Sequence, residues 1–496
     1  MNFLRQRKET LDSKRQCTDL SRIMSVQTKA GILNRTLRNL RKGWRSIAGT
    51  SYDAEAASHR PDLPENDIPA LREQMTACLE GKGGEVSARA RAAALGHVYL
   101  ALDAIGRHRF LSLLNDEFGA DEAVVEAAID TYHKAKTPET RQAAESGMRH
   151  ALEAPRLKLL RQFNDLPDGV KFLVDMRAEL LGLVREDKSL SLLEQDIKHL
   201  LKSWFDIGFL ELRRITWDTA SAALLEKLIA YEAVHTIESW DDLKNRLDSD
   251  RRCFAYFHPK MPDEPLIFVE VALVNGLAGN VQALLDEDAP VQDPARSDTA
   301  IFYSISNAQQ GLAGISFGNF LIKRVAGQLS EEFKGLKTFA TLSPIPGFMK
   351  WLDGELAEGK AGLLKPAERK ALKTVTEQSG GAKGTLKTLL ADPNWTEAET
   401  VRDALRQPLL RLAAHYLIEE KGRKGRTRDP VENFHLSNGA IAHRLNWLGD
   451  TSVNGLKQSA GLMINYLYDL DSIDENHEAY TGTGRVTVSA EIKGLI

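Results

Sequence analysis

The sequence predicts an α+β protein in which an all-helical N-terminal bundle precedes a C-terminal α/β domain. Three observations carry that expectation. From Ile68 to about Phe209 apolar residues recur at helical spacing, with no strand-like alternation. Strand signals appear only after about residue 250. Residues 299–348 then read as strand, glycine turn, helix, strand. A chain of 496 residues is too long for a single core. The expected division is a basic arm and linker over 1–66, a helical domain for support and self-association over 67–205, and a functional domain over 206–496.

The first 45 residues are rich in Arg and Lys. Glu9, Asp12 and Asp19 interrupt them, as a mitochondrial presequence rarely allows, and the chain ends Lys-Gly-Leu-Ile rather than Ser-Lys-Leu. A cytoplasmic location is therefore expected. The polar, proline-bearing residues 50–66 read as a linker. Apolar stripes then predict helices over Val86–Leu102, Ala120–Lys134, Pro138–Leu152, Val170–Leu183 and Leu190–Trp204. The histidines of this half (97, 108, 133, 150 and 199) stand singly on helical patterns and read as structural or surface residues.

In the second half, Arg252–His258 and Leu266–Leu273 flank Pro259, Pro262 and Pro265, as in a hairpin with a long loop. A helix is expected over Asn280–Glu287, with further helices near 366–391 and 395–419. Glycines 380, 381 and 384 mark one loop, and the basic run 421–428 marks a second, either a solvated face or a contact to a phosphate. The central block is the most informative. Thr299–Ser306 is β-branched and aromatic, Gly311, Gly314 and Gly318 punctuate the turn, and Phe320, Leu321, Ile322, Val325 and Leu329 trace a helix. Thr338–Leu342 then delivers Ser343 into Pro-Ile-Pro-Gly. Glycines let main-chain amides approach a ligand, and a helix start favours an anion, so this turn is a candidate phosphate cradle. It matches neither a dinucleotide fingerprint nor a nucleotide P-loop.

A net charge of -4 argues against a general nucleic-acid binder. The three cysteines, Cys17, Cys78 and Cys253, are far apart, form no metal-ligand motif and read as inert thiols. No run of about 18 apolar residues suggests a membrane span.

Several blocks stand together in one order: YEAVH at 231–235, EPLIFVEVAL at 264–273, IFYSIS at 301–306, QQGL at 309–312, FLIKRV at 320–325, LSPIPGF at 342–348, NFHLSNGA at 433–440 and GLMINYLY at 461–468. Together they resemble the malonyl-CoA decarboxylase family from about Trp204 to Tyr468, and more weakly before that. The resemblance implies a catalytic half like the Gcn5-related N-acetyltransferase fold, in which the CoA diphosphate rests on a strand–turn–helix and the acyl group enters where neighbouring strands splay. It implies conversion of malonyl-CoA to acetyl-CoA and CO2, with Ser343 and His435 as the active-site pair. It places CoA and malonyl binding on Ala313, Gly314, Ile315, Ser316, Phe317, Gly318 and Asn319. At Ser316 some relatives carry an acid, so a charge-based role there does not transfer. Tyr468 matches a family tyrosine, either orienting His435 or serving as a core residue. A homo-oligomer, dimer or tetramer, assembled through the helical domain is also expected.

The chemistry needs no metal, pyridoxal or thiamine, because the thioester carbonyl is itself the electron sink when CO2 leaves. Donors to the thioester oxygen, a desolvated carboxylate and a proton for C2 suffice. His435, read as lying in a short extended stretch with a pKa near neutrality, is the expected acid toward the enolate carbon. Ser343 is expected to hydrogen-bond the malonyl carboxylate or act as proton acceptor, and the two roles are partly exchangeable. His258 and His443 are read as structural. The rival readings are an acyltransferase on the same fold and a non-catalytic acyl-CoA sensor.

Overall fold

In the computed structural model the described residues are 54–80, 85–315, 321–359, 362–378, 386–422 and 425–496. The basic arm before them and the glycine loop at 379–385 lie outside this set, as do Ser316, Phe317, Gly318 and Asn319.

The helical half follows its apolar stripes closely. Helices span Glu85–Ala101, Glu122–Lys134, Pro138–Ala151, Gly169–Leu183 and Ser191–Trp204. Capping residues set their starts: Asp121 accepts from the amides of Ala123 and Val124, and Thr137 forms a capping box with Thr140 before Pro138. The stretch read as a linker is not bare chain. Ala54–His59 is helical, Ala57 and Leu63 are buried, and the Pro61 carbonyl accepts from the Asp103 amide.

Among the described residues eight strands form one sheet: β1 (Glu211–Ile215), β2 (Arg251–Phe257), β3 (Ile267–Val274), β4 (Thr299–Asn307), β5 (Thr338–Thr341), β6 (Ser343–Pro344), β7 (Ile441–Asn446) and β8 (Met463–Leu467). Their order is β1-β2-β3-β4-β5-β8-β6, with β7 also paired to β8. The β2–β3 hairpin is antiparallel as expected, and both strands are almost wholly buried, Arg251, Arg252 and Glu270 included. β4 and β5 are parallel, joined by a crossover that includes helix Leu321–Glu332. Their pairing covers only Thr299–Phe302 against Thr338–Thr341. Beyond Phe302, β4 runs on to Asn307, while the other chain leaves it to pair Ser343 with Ile464 of β8. The two strands therefore part immediately beside Ser343.

The halves share one core. A single apolar cluster runs from Leu71 and Tyr99 through Phe172 and Leu201 to Phe302, Ile345 and Tyr466. Gly311 lies so close to the helix Gly169–Leu183 that a β-carbon there would fall 1.7 Å from the Val174 carbonyl oxygen. Only glycine permits that approach.

Candidate active site

Ser343 reaches the site because β5 ends at Thr341 and the chain steps over to β8. Thr341 and Ser343, two positions apart, then project to the same side. Tyr466 and Tyr468 repeat this spacing at the end of β8. His435 arrives differently from the expectation. It lies in the last turn of a helix, Pro430–Ser437, and not in an extended stretch. Asp429 caps that helix by accepting from the amides of Val431 and Glu432, and Pro430 occupies its first position. Asn438 and Gly439, with Gly439 at φ +79°, end it.

These elements bring three predicted residues into one chain of contacts. Ser343 Oγ lies 3.0 Å from His435 Nε2, and His435 Nδ1 lies 2.8 Å from the Tyr468 hydroxyl. Ser343 also donates to Thr341 Oγ1 at 2.8 Å, an oxygen that accepts from the Tyr466 amide. One arrangement of protons satisfies all of these contacts. With the one Ser343 proton directed at Thr341, the serine oxygen accepts from His435 Nε2–H, and Nδ1 accepts from the Tyr468 phenol. The imidazole stacks on the Tyr466 ring at 4.5 Å between centroids.

Burial governs the electrostatics. Ser343, His435, Tyr466 and Tyr468 are all at most 5% exposed. Desolvation lowers His435 to about 3 and holds both phenols well above their usual value. The expected near-neutral pKa of His435 is therefore corrected: the ring is a neutral imidazole with an N–H aimed at the serine. One turn earlier on the helix, Glu432 is fully buried, and burial together with nearby Asp429 pushes its carboxyl well up.

The candidate cradle opens on a cavity of about 690 Å³ lined by Ala313, Gly314 and Ile315, by Asn433, Phe434 and Ser437 of the His435 helix, and by Arg426 and His477. Ser343 and His435 are not in its wall. Phe434 is, and its ring centroid lies 5.1 Å from that of His435. The imidazole thus stands one side chain behind the cavity surface. His258 makes a contact at 3.1 Å to the Trp204 carbonyl, and His443 lies on β7. Among the described residues no cluster of three or more His, Cys, Asp or Glu is arranged to hold a metal ion, and no helix is long and apolar enough to cross a membrane.

The model of the malonyl-CoA decarboxylase C-terminal domain matches residues 208–496, and that of the N-terminal domain matches 118–205. The chain belongs to the malonyl-CoA decarboxylase family. It is 36% identical over 483 residues to the mitochondrial malonyl-CoA decarboxylase of Mus musculus, covering 92% of this chain and 93% of that protein. It is 38% identical over 425 residues to that of Anser anser anser, covering 82% and 84%. The crystal structure of malonyl-CoA decarboxylase from Rhodopseudomonas palustris superposes with a TM-score of 0.78 at 42% identity, over 86% of this chain and 99% of that one. That from Agrobacterium vitis gives 0.77 at 42%, over the same shares. As a malonyl-CoA decarboxylase family member the chain is a carboxy-lyase.

Reading the sequence missed Thr341 and Tyr466, although each lies two positions before a residue it singled out. In a strand that spacing places both side chains on one face.

Proposed function

We propose that this enzyme converts malonyl-CoA to acetyl-CoA and CO2 through a thioester enolate, with Ser343, His435 and Tyr468 as its proton-transfer chain and no metal or organic cofactor. The observation that carries the reading is the continuous Ser343–His435–Tyr468 contact chain, placed where β4 and β5 part. Loss of CO2 pushes an electron pair onto C2 and the thioester oxygen. His435 then supplies the proton to C2 by way of Ser343: the Oγ–H turns from Thr341 to the carbon as His435 Nε2–H replaces it, and the Tyr468 hydroxyl replaces that of the ring at Nδ1. Tyr468, at the end of the chain, is left one proton short and recovers it before the next turnover. A neutral imidazole suits this passage, since it accepts at one nitrogen as it gives at the other. Dry surroundings at the site favour release of neutral CO2 over retention of a carboxylate.

Incubation of the purified protein with malonyl-CoA tests the reading. Acetyl-CoA and CO2 formed without an acceptor support it. Acyl transfer only with an added amine would make it a transferase, and binding without turnover a sensor.

Self-association belongs to the same proposal. The helices Glu122–Lys134 and Pro138–Ala151 pack on each other and leave Val124, Ile129 and Leu152 at 52%, 39% and 56% exposure. A second copy is the occupant that the proposed homo-oligomer requires for this face.

A further inference from the structure

We propose that Lys198, from the helical half, binds the diphosphate of the CoA thioester at the glycine turn. The inference rests on the function proposed above and adds a substrate contact from a part of the chain that sequence reading assigned to support and self-association.

Gly314 has φ +73°, a conformation that side chains resist, and it lines the cavity. A β-carbon built there would lie 3.2 Å from Lys198 Nζ and 3.6 Å from its Cε. The Lys198 ammonium thus stands directly beside the main chain of the turn. Lys198 lies on helix Ser191–Trp204 and is partly exposed. The two acids nearest it on that helix are already engaged: Glu194 with Arg177 at 2.7 Å and Asp196 with Arg156 at 2.8 Å. Among the described residues no carboxylate pairs with Lys198. Arg426, exposed and likewise without an ion pair among the described residues, lies in the wall of the same cavity. Two uncompensated cations beside a glycine at positive φ suit a polyanion, and the substrate of the proposed function carries one in its diphosphate.

The turn is held in place from the same side. Arg177, 1% exposed, donates to the carbonyl oxygens of Gly311 and Ala313 while its Nε–H and one Nη2–H go to Glu194. With those two carbonyls drawn into the helical half, the opposite side of the turn is left to the cavity. Arg177 is therefore a positioning residue and Lys198 a substrate contact.

The test compares wild type, Lys198→Ala and Lys198→Arg with malonyl-CoA and with malonyl-pantetheine, which carries the same thioester and no phosphate. Lys198→Ala is expected to raise KM for malonyl-CoA roughly tenfold, the scale of one partly exposed charge-assisted contact, with kcat nearly unchanged. Lys198→Arg should recover most of the loss, and KM for malonyl-pantetheine should not move. Calorimetry with CoA and with dephospho-CoA reads the contact without turnover and should show the same weakening for both. An unchanged KM and CoA affinity in Lys198→Ala would overturn the assignment while leaving wild-type decarboxylation intact. So would an equal penalty on malonyl-pantetheine, or a loss confined to CoA, which would place the lysine at the 3′-phosphate.

Discussion

His435 carries two properties at once, a hydrogen bond at each ring nitrogen and an environment too dry to protonate it. An imidazolium acid would lose activity as pH rises through about 6.5. A neutral ring does not, so kcat should be flat from about pH 5.5 to 8, which a pH–rate profile with malonyl-CoA checks. The linkage to stability has a definite sign. Because the folded value is depressed, the unfolded chain binds more protons between about pH 3 and 6.5. The buried ring's contribution is thus complete above that window and is lost as pH falls through it. Ser343→Ala and His435→Ala should each lower turnover by about 10²–10⁴ with circular dichroism unchanged. Tyr468→Phe removes the terminal proton source but keeps the ring, so kcat should fall while the thermal midpoint hardly moves. The pairing of Ser343 with His435 was legible only through the resemblance. Nothing in either local sequence signals a partner 92 positions away.

At the level of elements, the sequence and the structure part where caps and edges decide the outcome. Asp429-Pro430 is a helix start, yet the four-residue spacing of apolar positions that would mark the helix is too short to show in Val431–Ser437. The five residues of β1, Glu-Leu-Arg-Arg-Ile, include three charges and alternate poorly; as an edge strand it owes its place to pairing with β2. The long buried strands β2, β3 and β4 were legible because burial on both faces favours β-branched and aromatic residues, which dominate them despite the buried Arg251, Arg252 and Glu270. The turn at 311–315 depends on one atom-scale fit. Gly311→Ala would drive a methyl group into the Val174 carbonyl, so a fall in melting temperature of several degrees and a raised KM are expected, read by thermal denaturation and steady-state kinetics.

Across the whole molecule, the division near residue 205 is one of secondary structure more than of cores, since one apolar cluster crosses it. We propose residues 67–205 and 206–496 as domains in sequence that depend on each other in stability. A fragment of 206–496 should melt well below the full chain, having lost the packing of Val174 and the hydrogen bonds of Arg177. For the helical hairpin, Val124→Glu should shift the mass measured by light scattering toward the monomer and leave kcat unaltered. The helices themselves were readable from periodicity, whereas their hold on the turn was not, because Arg177 and Lys198 look like ordinary surface charges in the linear sequence.

The early parting of β4 and β5 leaves a row of main-chain groups on 303–307 that no strand among the described residues pairs on that side. Inside a sheet, such a row is a slot with the dimensions of one missing strand. Under the proposed function, a slender thioester arm bearing its own amides would suit such a slot as thread suits a seam, where a compact molecule of equal charge would not. Reach and amide spacing, more than the identity of the acyl group, would then decide which thioesters get as far as the serine.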